Sequence, residues 1–310
     1  MVDYSASSDT DVALAGACKA AGLDARGARL VHWGTTSMVY RLAREPVVAR
    51  LRFAPGAADV LARLAASVAV TRWLSTLGFP ATVPLGVAQP VLSFGWIVTF
   101  WHDLPAAGWH YIPPSERRSR DIEALAGLLR RLHSLPPPPV RLPAPSLLGS
   151  VRADAARCRQ LTAGQRSWLL ARCDILERRY ARATWTLGCG LIHGDAHAGN
   201  LIRTPDGVLL GDWDSVSYGP REQDLVPASL GYRFGRQAGW HQLCTLYQAD
   251  PASLPGLTLL QRLRELRDLA PCLRRAGYPG LPAEVTRRLT DLMTGTQKQP
   301  WRALQGDLSR

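Results

Sequence analysis

Lysine is nearly absent. Lys19 and Lys298 are the only two among 37 basic residues, and all the others are arginine. Together with abundant Ala, Leu and Gly, that bias belongs to a GC-rich genome. The formal charge of +12 is therefore read as background composition. Basic proteins do attract polyanions. Here, though, there is no Lys/Arg-rich block and no basic stripe interleaved with aromatics, so nucleic acid is not expected as a partner. No apolar run approaches the ~20 residues that cross a bilayer, so no membrane is expected either. Met1 to Ser5 offer no basic region followed by an apolar stretch, and no secretory signal is expected. The six cysteines (Cys18, Cys158, Cys173, Cys189, Cys244, Cys272) form no Cys-x-x-Cys pair. That argues against a zinc knuckle or disulfide framework and for reduced thiols in a bacterial cytoplasm.

What remains is an ordinary globular composition. The 310 residues are 46% hydrophobic and 20% charged, enough for one large domain or two closely joined lobes. Asp9 to Ala21 reads as a helix with an acidic start. Met38–Leu42 and Val47–Leu51 read as a hairpin around Pro46. Val60, Leu61, Leu64, Val68 and Leu74 predict a helix over 59–77 that stops at Gly78, and residues 86–100 supply two more strands. Beyond residue 104 the pattern turns helical. A helix is expected from Pro113-Pro114-Ser115 to the proline run Pro136–Pro139, and further helices over 163–182 and 257–275.

Polar chemistry concentrates in residues 190–224. His193-Gly194-Asp195 and, five residues on, Asn200 are flanked by the apolar pairs Leu191-Ile192 and Leu201-Ile202. Val208-Leu209-Leu210 then leads to Asp212-Trp213-Asp214. Polar groups on loops held by short buried strands are the usual setting for catalysis. The Asp-to-Asn step matches the kinase catalytic loop. Phosphoryl transfer needs an acceptor that orients the attacking hydroxyl, a role open to Asp195, and oxygen ligands for Mg²⁺, roles open to Asn200 and Asp212.

With Gly219-Pro220 before Asp224-Leu225, this stretch resembles the aminoglycoside phosphotransferase family of small-molecule kinases. The resemblance implies an α+β, bilobal protein-kinase-like fold with a small β-rich N-lobe (1–103) and a larger helical C-lobe (104–310). It implies ATP (GTP is not excluded) and Mg²⁺ as cofactors, and a small-molecule hydroxyl acceptor, antibiotic or metabolite. Asp195 would be the catalytic base, Asn200 and Asp212 metal ligands, and His193 and Asp224 structural supports. In the N-lobe, Gly34, Thr36 and Ser37 would lie in the nucleotide-covering loop, Arg50 would hold the phosphates, and backbone groups at Phe100 and His102 would meet adenine. The family usually pairs the residue at Arg50 with a glutamate from the following helix; here Ser67 stands at that position.

Two other readings compete. The missing acid suggests a catalytically degenerate nucleotide-binding module. His193-x-Asp195-x-His197 suggests a metal-dependent hydrolase. Asp214 fits a third carboxylate near the metal or a turn-former equally well. Between Leu225 and Arg310 there are 12 Lys/Arg against six Asp/Glu, which favours a neutral or anionic acceptor over a polycation. Arg262, Arg264 and Arg267 read as the solvated face of a leucine-rich helix.

Overall fold

In the computed structural model the described residues are 7–34, 37–54, 56–104, 119–234, 239–297 and 299–302. Thr36 and the expected helix start at Pro113–Ser115 lie outside them. Helix α1 (Ser7–Ala21) precedes strands β1 (Arg29–Trp33), β2 (Met38–Arg41) and β3 (Val47–Phe53). Helix α2 (Ala58–Thr76) and strands β4 (Val91–Ser93) and β5 (Trp96–His102) follow. The strands form one antiparallel sheet in the order β1-β2-β3-β5-β4.

Strand parity divides this sheet into two faces. Met38, Tyr40, Ala49, Leu51, Val98 and Phe100 pack with Ala13, Leu14 and Ala17 of α1. On the other face Val39, Val48 and Trp101 meet Val68 of α2. β5 is buried from Trp96 through Trp101, as a strand covered on both sides must be. Arg50 and Arg52 share the parity of Val48, so β3 presents them on the face away from α1.

The remainder is mostly helical: α3 (Ser119–His133), α4 (Gly149–Arg157) and α5 (Ala163–Tyr180), then the short strands β6 (Cys189–Ile192), β7 (Leu201–Thr204), β8 (Gly207–Leu210) and β9 (Ser217–Pro220). Helices α6 (Val226–Ser229), α7 (Trp240–Tyr247), α8 (Leu257–Arg267), α9 (Ala270–Arg274) and α10 (Leu281–Thr294) close the described chain. The start of α5 is fixed by a capping box in which Thr162 and Gln165 exchange side-chain and backbone hydrogen bonds. One large core joins Leu125, Leu129 and Leu132 of α3 to Leu169, Leu176, Leu260 and Leu263, and it takes in Val70 and Leu74 of α2.

The sheet and the helical part are stitched directly. Leu210 N–H donates to Pro80 O at 2.9 Å and Thr82 N–H donates to Leu210 O at 3.2 Å, fixing the end of β8 against the segment after α2. Among the described residues, no helix is long and apolar enough to cross a membrane.

Candidate active site

Two antiparallel pairs, β6–β9 and β7–β8, hold the polar loops. As the chain leaves β6, the fully buried Asp224 clamps it. One carboxylate oxygen accepts from His193 N–H at 2.8 Å and the other from Gly194 N–H at 2.7 Å. His133 of α3 donates to the same carboxylate at 3.1 Å and accepts from Tyr247 Oη at 2.7 Å, so α3 and α7 position the clamp. His193 is completely buried. Its Nε2 lies 2.9 Å from Gly211 O and therefore carries the proton, while Nδ1 accepts from Asp195 N–H at 3.3 Å. Both ring nitrogens thus serve the backbone. Gly194 has φ +82°, and a Cβ there would run into the Ser215 carbonyl. Only glycine fits that turn.

Asn200 ends a single 3₁₀ turn (Ala198–Asn200). Its side-chain nitrogen donates to Asp195 O at 2.9 Å, and its own carbonyl accepts from Gly211 N–H at 2.8 Å. These bonds hold Asp195, Asn200 and the residue before Asp212 in one cluster and leave the Asn200 side-chain oxygen as the remaining acceptor. Asp212 adopts the left-handed conformation (φ 59°, ψ 59°) and is 44% exposed at its side chain. Trp213 behind it is buried, donates to Leu210 O at 2.8 Å and packs on the His193 ring.

Arg50 reaches this cluster from the N-lobe. It donates to Asp214 at 2.6 Å, to Asp212 at 2.9 Å and to Ser37 Oγ at 3.3 Å. The acid that Ser67 does not supply from α2 is supplied from the loop after β8. Arg52 also meets Asp214, at 3.3 Å. Burial and the Asp212 charge hold Asp214 above the ordinary carboxylate range against the pull of Arg50 and Arg52. Asp214, left open between metal carboxylate and turn-former, here anchors two arginines.

Elsewhere in the N-lobe, Gly34 N–H donates to Ser37 O at 2.8 Å, and Arg275 comes from the C-lobe to 3.5 Å from Gly34 O. Phe100 is placed differently from a free hinge. Its N–H donates to Gln89 Oε1 at 2.7 Å, and its carbonyl accepts from Leu85 N–H at 2.9 Å and Gln89 Nε2 at 3.1 Å. His102 is exposed, and its N–H is taken by Val83 O at 3.0 Å. Both backbone groups of Phe100 and the N–H of His102 are therefore already bonded within the protein.

The sequence pattern missed the arginines of α8. Arg264 is not on a solvated face: it donates to Asp195 Oδ1 and, at 2.8 Å, to Asp268, with only 18% of its side chain exposed. Arg267 lies 3.5 Å from Gly194 O. Arg262 is the outward member, 41% exposed and paired with Glu265. Burial alone would raise the Asp195 pKa. The charges of Arg264, His197 and Arg267 outweigh burial and hold it well below the ordinary carboxylate range.

The hydrolase arrangement is not assembled. His193 has no ring nitrogen to spare, and His197 accepts from Gly199 N–H through Nδ1 while its Nε2 stays 4.0 Å from Asp195. Among the described residues no group of three or more His, Cys, Asp or Glu could hold a metal ion. Asn200 and Asp212 suit a different demand. Mg²⁺ keeps waters and phosphate oxygens and takes only one or two carboxylates from a protein.

A clamped Asp195 with an amide and a carboxylate beside it, and an arginine reaching them from the sheet, form a site of the kind a phosphotransferase needs. The chain belongs to the phosphotransferase enzyme family (APH), whose model matches residues 27–266. No curated protein matches the sequence. Among solved structures it is similar to the amicoumacin kinase hAmiN in complex with AMP-PNP, Ca²⁺ and Ami (14% identity, TM-score 0.67, 90% of this chain and 91% of that one). It is also similar to a choline/ethanolamine kinase family protein from Mesorhizobium loti (17% identity, TM-score 0.62, 92% and 94%). A third is an aminoglycoside phosphotransferase from Streptomyces rimosus (23% identity, TM-score 0.54, 86% and 99%). The fold is that of protein-kinase-like small-molecule kinases: a small antiparallel sheet and a larger helical part.

Proposed function

We propose that the protein transfers the γ-phosphate of ATP to a hydroxyl of a small molecule, with residues 1–103 covering the nucleotide and residues 104–310 carrying the catalytic loop and the acceptor site. The observation that carries this reading is the single hydrogen-bonded cluster linking Asp195, Asn200 and Gly211-Asp212. Asp195 orients the acceptor hydroxyl and takes its proton. Asn200 and Asp212 hold Mg²⁺, which when bound neutralises charge on the phosphates. Arg50, steered by Asp214 and Ser37, meets the α- and β-phosphates, and Gly34, Thr36 and Ser37 belong to the segment that covers the nucleotide. His193 and Asp224 keep Asp195 in place. With little covalent chemistry demanded of the protein, positioning and charge stabilisation account for the rate.

Because Phe100 is satisfied by Gln89 and Leu85, adenine would be met by groups other than the Phe100 backbone. The degenerate-module alternative rested on the missing acid opposite Arg50, and the pairing of Arg50 with Asp212 and Asp214 weighs against it. The reading is tested by incubating the purified protein with MgATP and a panel of hydroxyl metabolites and antibiotics, and measuring nucleoside diphosphate. Acceptor-dependent release supports it. Nucleotide binding without transfer to any acceptor would support the degenerate module.

A further inference from the structure

We propose that the acceptor carries an anionic group, a carboxylate or a phosphate, beside the hydroxyl that is phosphorylated, and that Arg264 and Arg267 bind this group next to Asp195. The inference rests on the phosphotransferase reading and narrows its substrate class.

Arg264 and Arg267 are three residues apart on α8 and so share a face. With Gly194, Gln223, Leu147 and Val226 they line a small pocket against the catalytic loop, and no acidic residue lines it. Their partners differ. Arg264 has two carboxylates, Asp195 and Asp268. Arg267, half-buried, has no carboxylate at ion-pair distance among the described residues, only the long approach to Gly194 O at 3.5 Å. Burial and the adjacent Arg264 charge push the Arg267 pKa down, and they outweigh the opposite pull of Asp195 and Asp268. A desolvated guanidinium with no directly bonded carboxylate is costly, and an incoming oxyanion offsets that cost with short, charge-assisted, bidentate hydrogen bonds.

Other acids of the helical part are held by arginines of their own. Glu265 is buried on Arg233 at 2.6 Å, Asp154 on Arg274 at 2.8 Å and Glu284 on Arg288 at 2.7 Å. Among the described residues an ammonium group would find two arginines here, and the carboxylates beside them, Asp195 and Asp268, already face Arg264. Arg264 also occupies Asp195 Oδ1. An acceptor anion that draws Arg264 toward itself frees that oxygen for the hydroxyl, so the group that confers affinity also uncovers the base.

The test uses the full chain and calorimetric titration. MgADP is titrated first, which tests nucleotide binding and then fills the phosphate-binding groups of the N-lobe. Malonate and inorganic phosphate are then titrated into wild type, Arg267→Gln and Arg267→Lys. The expected result is oxyanion binding to wild type that weakens about tenfold or more in Arg267→Gln and less in Arg267→Lys, which keeps the charge but not the bidentate fork, with MgADP affinity unchanged. The tighter probe assigns carboxylate or phosphate. MgADP binding without any Arg267-dependent oxyanion binding overturns the anionic acceptor and leaves the phosphotransferase reading standing. Absence of MgADP binding overturns both.

Discussion

Arg264, on a helix 69 residues downstream of the catalytic loop, donates directly to Asp195. The pairing keeps the carboxylate ionised. It also predicts how the enzyme responds to acid. The Asp195 pKa is depressed in the folded protein, so the charged form the base requires persists above its folded value and disappears only as pH falls through it. Arg264→Gln removes the largest charge that lowers it. The acid limb of the kcat/KM–pH profile should therefore move upward, toward the ordinary carboxylate range. An unmoved or downward-shifted limb would show that Arg264 does not tune the base.

Asp212→Ala should abolish divalent-cation-dependent nucleotide binding. The side chain is 44% exposed and sits at the cleft, so folding should be little affected. Calorimetry with ATP, with and without Mg²⁺, checks this: wild type should show a large metal dependence and the variant almost none. Equal metal dependence in both proteins would remove Asp212 from the site.

Asp224→Asn is expected to cost about 3 kcal/mol of stability. The buried carboxylate accepts from His193 N–H, Gly194 N–H and His133. An amide would turn one of its acceptors into a donor facing a donor, and bonds to buried charged groups are worth ~1.5–3 kcal/mol each. Urea unfolding followed by Trp fluorescence measures the loss. A change under about 0.5 kcal/mol would mean that the clamp is not structural.

Gln89→Ala leaves Phe100 N–H without its acceptor. The expected penalty is about 1–3 kcal/mol, read as a lower Tm. MgATP affinity should be unchanged, since the account assigns adenine to other groups. A marked gain in affinity would place adenine at Phe100.

The polar cluster around Asp195 was legible because its parts are close in sequence. His193, Asp195, Asn200 and Asp212 belong to adjacent turns between short apolar strands, and the spacing brings them together. The strands and helices around Val47–Leu51, residues 59–77 and residues 163–182 were also legible from apolar patterning and from Gly and Pro punctuation. Less visible were contacts set by how distant elements dock. Periodicity places Arg264 and Arg267 on one helical face but cannot say that this face turns toward Asp195. Nothing in residues 83–89 announces that the Gln89 amide will take up the backbone of Phe100. Ser67 marked a departure in α2, whereas the compensating acids, Asp212 and Asp214, lie more than 140 residues later in the chain.

The central claim is that Asp195 is the base of a phosphoryl transfer. The most direct measurement compares acceptor-dependent nucleoside diphosphate release by wild type and Asp195→Ala, with MgADP affinity measured on both. The account predicts a rate loss of about 10²–10⁴-fold at unchanged nucleotide affinity. Ordinary turnover by Asp195→Ala would contradict it.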